Sequence, residues 1–218
     1  PFGDSTTVGP YLLHTYLGSA SQPLMTGNGA PDSAWSNSVS YNTPVFDGFS
    51  VSAQVAAGEG TTAGRRSAIG ANFASGPFTI GSAYEKLGKM SMNFSKPPAS
   101  VLMEDASTLQ VAATYNLQFV KLFGKYGNTK LERPGTEIEL NTFAAGALVP
   151  LGSGRLMFEA ASTTRDQTLL ADVKRTTISV GYGYDFSKRT DLYAVAMSDK
   201  VTGLKNGFGY TLGIRHTF

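Results

Sequence analysis

The chain has 218 residues, with 18 Lys and Arg against 16 Asp and Glu, a net charge of +2. So small a charge gives no argument for nucleic acid as a partner. The absence of Cys excludes disulfides, thiol catalysis and Cys-based metal sites together, and no run of about 18 apolar residues encodes a transmembrane helix.

The first segment, Ser5 to Pro31, carries no formal charge, and its Gly, Ser, Thr and Pro content predicts a loop. Strand patterns begin after Ala34. Ser36 to Phe46 places Val39, Tyr41, Thr43 and Val45 on one face, and Asp47-Gly48 follows as a tight turn. Phe49 to Gly58 sets Phe49, Val51, Ala53 and Val55 against Ser50, Ser52 and Gln54. Arg66 to Ser75 sends Ile69, Ala71 and Phe73 outward; after Gly76-Pro77, Phe78 to Leu87 does the same with Phe78, Ile80 and Tyr84. Ser107 to Leu117 is the cleanest alternation, with Leu109, Val111, Ala113, Tyr115 and Leu117 on one side.

Gln118 to Asn128 puts Val120, Leu122 and Tyr126 outward and Phe119, Lys121, Phe123 and Lys125 inward. Glu137 to Pro150 is expected to send Ile138, Leu140, Ala144 and Leu148 out, with Glu137, Glu139 and Asn141 in. Arg155 to Thr164 places Arg155 and Glu159 inward, opposite Leu156, Phe158 and Ala160. Thr176 to Phe186 faces Ile178, Val180, Tyr182, Tyr184 and Phe186 outward, with Asp185 inward. Asp191 to Asp199 is read with Tyr193, Val195 and Met197 outward. The last strand alternates Phe208, Tyr210, Leu212, Ile214 and His216 with Gly209, Thr211, Gly213 and Arg215, and the chain ends at Phe218.

These are eleven strands of about 10 residues, a length that suits a tilted crossing of a bilayer. Short connections (Asp47-Gly48, Gly76-Pro77, the Asn116 to Gln118 junction, Leu151 to Gly154, Ser187 to Arg189) alternate with longer polar ones. The longer set is Glu59 to Arg65, Gly88 to Ala106, Asn128 to Thr136, Arg165 to Lys174 and Lys200 to Lys205. Short turns at one end and long loops at the other predict an all-β, antiparallel, up-and-down transmembrane barrel. The mean hydropathy of −0.09 agrees, because only alternate residues of such a barrel meet lipid. A soluble β-sandwich explains any one strand but not the regular series.

Three pieces carry a resemblance: Asn37-Ser38-Val39-Ser40-Tyr41 through Pro44 and Phe46 to Gly48-Phe49; Arg189-Thr190-Asp191-Leu192-Tyr193; and Gly213 to Phe218. The chain resembles the general porins of β-proteobacteria, trimeric sixteen-stranded outer-membrane channels. The resemblance implies a water-filled pore for passive diffusion of ions and small hydrophilic solutes, with a weak lean to anions. It implies no catalytic site, cofactor or metal, although Glu104 and Asp105 mark an acidic loop in which a bound Ca²⁺ is conceivable. It also implies a homotrimer, contact with outer-membrane lipid and lipopolysaccharide, and a barrel-insertion signal formed by Thr211, Gly213, His216 and Phe218.

The resemblance places residues 1–35 in the third extracellular loop, which folds into the pore, and residues 36–218 in the last eleven strands; five preceding strands are then expected outside this chain. Tyr11, His14 and Tyr16 become candidates for lining the constriction or packing its loop against the wall. The expected lumen charges are Arg66, Lys121, Lys125, Arg155 and Arg215 against Glu85, Glu137, Glu139, Glu159 and Asp185, a balance that decides nothing about selectivity. A smaller outer-membrane barrel with an enzymatic or adhesive role is the rival reading. Its enzymatic form rests on His14, because His216 falls on the outward face.

Overall fold

The computed structural model describes residues 25–26, 35–58, 64–95, 98–168 and 170–218. The strands are β1 (Met25–Thr26), β2 (Ser38–Asn42), β3 (Phe49–Ala56), β4 (Arg66–Ser75), β5 (Phe78–Leu87), β6 (Met90–Ser95) and β7 (Pro98–Met103). They continue as β8 (Asp105–Asn116), β9 (Lys121–Arg133), β10 (Thr136–Leu151), β11 (Gly154–Gln167), β12 (Leu170–Ser187), β13 (Thr190–Val201) and β14 (Gly207–His216). Eleven of them form one antiparallel sheet in the order β2-β3-β4-β5-β8-β9-β10-β11-β12-β13-β14, each beside its sequence neighbour except across the β6–β7 hairpin. That hairpin pairs with β1 in a separate three-stranded sheet.

Turn chemistry sets the register. Asp47 and Gly48 both adopt positive φ, +47° and +82°, the conformation a two-residue hairpin turn of matching twist requires. Glycine is required at 48 for a second reason: a Cβ there would stand 2.1 Å from the Ala74 carbonyl oxygen. Gln118 also has positive φ, +70°, and its N–H donates to Asn116 Oδ1 at 3.0 Å, a side-chain-closed turn. β2 is shorter than the sequence pattern because Pro44 has no N–H to give the ladder.

At the opposite end the strands run further than expected. The polar stretches Asn128 to Thr136 and Arg165 to Lys174 are not loops: β9 and β10 pair up to Arg133↔Thr136, and β11 and β12 up to Gln167↔Leu170. Their side chains keep the period of two although many are polar, so the ladder continues. The predicted loop Gly88 to Ala106 likewise holds the β6–β7 hairpin.

The two faces of the large sheet differ. One buries Ser52, Gln54, Glu85, Thr108, Thr129, Thr142, Thr163, Thr177 and Ser179; we call it the inner face. Threonines pair across it, Thr108 with Thr129 at 3.0 Å and Thr142 with Thr163 at 2.8 Å. The outer face exposes Val39, Tyr41, Val55, Ile69, Leu109, Phe158, Ile178, Val180, Leu212 and Ile214. No second sheet packs against this apolar face among the described residues, as a soluble sandwich would need.

Two strands face the other way from the reading of the sequence. Ile138, Leu140, Ala144 and Leu148 pair with Leu131, Thr129, Lys125 and Lys121, which puts them on the inner face; Glu137, Glu139 and Asn141 point outward. Tyr193, Val195 and Met197 pair with Gly183, Gly181 and Ser179 and are also inner. On β10 the rule that apolar residues point outward failed because Ile138 and Leu140 join an apolar cluster with Trp35, Ala56, Ala68, Leu87, Met103, Ala106 and Leu131; on β13 it failed because Val195 and Met197 are buried on the inner face.

Candidate pore wall

Cross-strand partners of an antiparallel sheet share a face, so register alone assigns the charged residues. Arg66, Glu85, Lys121, Lys125, Arg155, Glu159, Asp185 and Arg215 lie on the inner face. Glu139 does not. It sits on the outer face beside Lys130, accepts a hydrogen bond from Asn128 Nδ2 at 2.6 Å, and belongs with Asn141 to a polar cluster near the far end of β9 and β10. Glu137 is outer as well.

Sequence reading missed five inner charges. Arg133 and Arg165 were assigned to loops, Arg175 lay between an expected loop and the next expected strand, and continuing the count from Arg155 and Glu159 past Thr164 would have found Arg165. Asp191 and Asp199 were read with the wrong parity. Among the described strand residues the inner face therefore holds eight cations (Arg66, Lys121, Lys125, Arg133, Arg155, Arg165, Arg175, Arg215) against five anions (Glu85, Glu159, Asp185, Asp191, Asp199).

Much of this charge is organised in two clusters. At the short-turn end, Arg215 Nε donates to Asp191 Oδ1 at 2.7 Å, while Arg155 donates to Asp191 Oδ2 at 3.2 Å and to Asp185. Gly183 opposite Arg155 leaves room for the guanidinium, since a Cβ there would sit 3.0 Å from Arg155 Cζ. Beside this network is an open cavity of about 400 Å³ lined by Asp185, Lys188, Arg189, Asp191 and Arg215. At the other end, Arg175 donates twice to Asp199, at 2.8 and 2.7 Å, and Thr177 Oγ1 adds a third bond at 2.9 Å. Such a fork-to-carboxylate pair is strongly directional.

Between the clusters stand the lysines of β9. Lys121 Nζ lies 5.3 Å from the Phe123 ring centre, within cation–π range. Lys125 and Glu159 share the inner face with one strand between them, through their partners Ala144 and Gly146. With Arg155, Arg175 and Arg215 set against Asp185, Asp191 and Asp199, the other inner charges of the described strands are Arg66, Lys121, Lys125, Arg133 and Arg165 against Glu85 and Glu159.

On the last strand Thr211 and Gly213 are inner; Gly213 is a notch for Tyr193, whose ring a Cβ would meet at 2.3 Å. His216 is exposed, shares a hydrogen bond of 2.8 Å with Thr190 Oγ1, and stands edge-on to Phe218, ring centres 4.9 Å apart. Tyr11, His14 and Tyr16 lie outside the described residues.

An antiparallel sheet in which every strand after the hairpin joins its sequence neighbour, apolar without and charged within, is the wall of an outer-membrane β-barrel. The chain belongs to the Gram-negative porin family, whose profile matches residues 2–204. Outer membrane porin protein 32 of Delftia acidovorans is 29% identical over 219 residues, covering 97% of this chain and 56% of that protein. The anion-selective porin from Comamonas acidovorans superposes with a TM-score of 0.65 at 25% identity, over 83% of this chain and 59% of the other. The outer membrane protein OmpT of Vibrio cholerae reaches a TM-score of 0.69 at 14% identity, over 94% of this chain and 72% of the other, a likeness of fold. The chain spans somewhat more than half the length of the porins it matches, and its family places it in the outer membrane.

Proposed function

We propose that this chain forms part of the wall of a water-filled channel for passive diffusion, one that favours anions, rather than an outer-membrane enzyme. The observation that carries the reading is the surplus, among the described strand residues of the inner face, of eight cations over five anions. Charges on a pore wall act across a narrow aqueous path flanked by low-dielectric protein and bias the local ion concentration. A relative bearing the name anion-selective porin points the same way.

Lys121 and Lys125 are the residues that test it. Both face inward, and neither belongs to the arginine–aspartate clusters at the two ends. In a planar bilayer with a KCl gradient, the unsubstituted protein is expected to give a reversal potential of the anion-selective sign. Lys121→Gln combined with Lys125→Gln removes two of the eight cations and is expected to bring that potential closer to zero. A cation-selective protein indifferent to the double substitution would sink the reading.

The same reading makes the protein a homotrimer in contact with outer-membrane lipid and lipopolysaccharide, delivered by the barrel-insertion machinery through its last strand. Cross-linking in isolated outer membranes is expected to give a ladder that stops at three subunits; a product that stays monomeric under all cross-linker doses counts against it.

A further inference from the structure

The short-turn end of the wall carries more positive charge than its ion pairs neutralise. The turn from β12 to β13 presents Lys188 and Arg189 in succession, and among the described residues no carboxylate lies within ion-pair distance of either. The two acids of this end are already engaged: Asp191 holds Arg155 and Arg215, and Asp185 holds Arg155. Arg155, Lys188, Arg189 and Arg215 are four cations to two carboxylates, a surplus of two. The open cavity of about 400 Å³ at this end brings Lys188, Arg189 and Arg215 together on its lining.

The turn is held in place on both sides. The Arg189 N–H donates to Ser187 Oγ at 3.2 Å, and the Arg189 carbonyl accepts from the Thr217 N–H at 2.8 Å. The turn is thereby tied to the end of the last strand as well as to its own hairpin. The register of β12 on β13 shifts between Asp185 and Ser187, an irregularity of the kind that re-aims side chains. Register also places Asp185, Asp191 and Arg215 on the inner face, so the cavity opens at the mouth of the lumen, away from lipid.

We propose that this mouth carries a binding site for a phosphate group, free or on a small ester, formed by Lys188 and Arg189 of the β12–β13 turn with Arg215 of β14. Two guanidinium forks and an ammonium match the oxygens of a phosphate better than a single halide. The surplus of two positive charges matches a dianion, and the cavity has room for the ion with part of its hydration shell. A turn fixed by its backbone bonds loses little freedom on binding. The role of the site at the mouth rests on the channel reading, to which it adds a class of solute: it concentrates phosphate at one end of the path.

The test uses the protein folded into lipid vesicles, with inorganic phosphate as the probe. At mildly alkaline pH the phosphorus NMR line of phosphate is expected to broaden as protein is added. Lys188→Gln with Arg189→Gln is expected to abolish the broadening, and each single variant to weaken binding several-fold. Lys174→Gln with Lys200→Gln removes the same charge from exposed outer positions at the other end of β12 and β13, and is expected to leave the broadening unchanged. Glycerol phosphate is then added as competitor; an ester that fails to displace the free ion overturns the ester half of the proposal. In a planar bilayer, phosphate in the millimolar range on the short-turn side is expected to lower the chloride current by about half, and far less from the other side. The turn double variant is expected to lose that sidedness.

Variants are compared once heat-modifiable mobility shows that they fold. Broadening that survives in the turn double variant, or that is lost equally in the Lys174 and Lys200 variant, overturns the site. A protein that conducts while the phosphate line stays sharp overturns the site and leaves the channel reading intact. Phosphate binding that depends on Lys188 and Arg189 in a protein that passes no current overturns the channel reading, and with it the role of the site at the mouth.

Discussion

Val180→Arg is expected to destabilise the inserted protein by about 2–4 kcal/mol, the cost of an arginine at the bilayer midplane on the lipid face of a barrel. The outer residues of β12 mark the depth. From the upper end they read Asp172, Lys174, Thr176, then Ile178, Val180, Tyr182, Tyr184 and Phe186. Polarity changes sign between Thr176 and Ile178. The apolar run from 178 to 186 measures roughly 26 Å along the strand at about 3.3 Å per residue, close to the height of the lipid-facing band. Val180 lies within it, between Phe158 on β11 and Ala196 on β13. An arginine there has no inner partner to reach, because the pleat points it away from Asp185 and Asp199. Thr176→Arg, on the same face but above the change of polarity, is expected to cost less than about 1 kcal/mol. Denaturant titration of both variants folded into lipid vesicles measures the difference. Equal costs at 176 and 180 would mean that the outer face does not meet lipid.

Where the sequence can be read on this fold depends on what each face touches. β4 and β5 begin and end at the residues the alternation predicted, Arg66–Ser75 and Phe78–Leu87, because the Gly76-Pro77 turn closes the hairpin between them and lipid forces a single polarity on the outer face. Above the membrane that pressure ends. There β9 to β12 continue with polar residues on the outer face, so composition suggested loops where Asn128, Lys130, Asp166 and Lys174 stand on paired strands. The parity errors have a related cause. Ile138, Leu140, Val195 and Met197 are apolar on the inner face, and polarity alone cannot separate lipid from a dry protein interior. Cross-strand register could have corrected both strands: Asp191 faces Arg215 and Asp185 across its neighbours only if Tyr193 and Val195 share its face. The face of the sheet was thus legible at Lys121, Lys125, Arg155 and Glu159, where alternation is clean, and misread at Glu139, where it is not. No periodicity in the sequence announced the β6–β7 hairpin as more than a loop, since its pairing to β1 crosses most of the strand series in between.

Asp191→Asn tests whether the short-turn cluster is structural, electrical or both, and both effects are expected to be large. The Asp191 carboxylate takes one arginine on each oxygen, Arg215 on Oδ1 and Arg155 on Oδ2. Asparagine keeps one acceptor oxygen and turns a donor toward the other guanidinium. One charged hydrogen bond is lost, worth about 1.5–3 kcal/mol, and a donor is left facing a donor. Arg155 retains Asp185, while Arg215, the more exposed of the two arginines, loses its ion pair with Asp191. The inner-face balance among the described strand residues moves from eight against five to eight against four, and Arg215 lies beside the cavity at the short-turn end. Anion preference should therefore increase, whereas the Lys121 and Lys125 substitutions lower it. Reversal potentials measured with the salt gradient imposed in each direction separate the sites, because a charge near one mouth acts mainly on ions entering from that side. If Asp191→Asn weakens folding but leaves both potentials unchanged, the cluster is a brace between β11, β13 and β14, and selectivity belongs to the lysines of β9 alone.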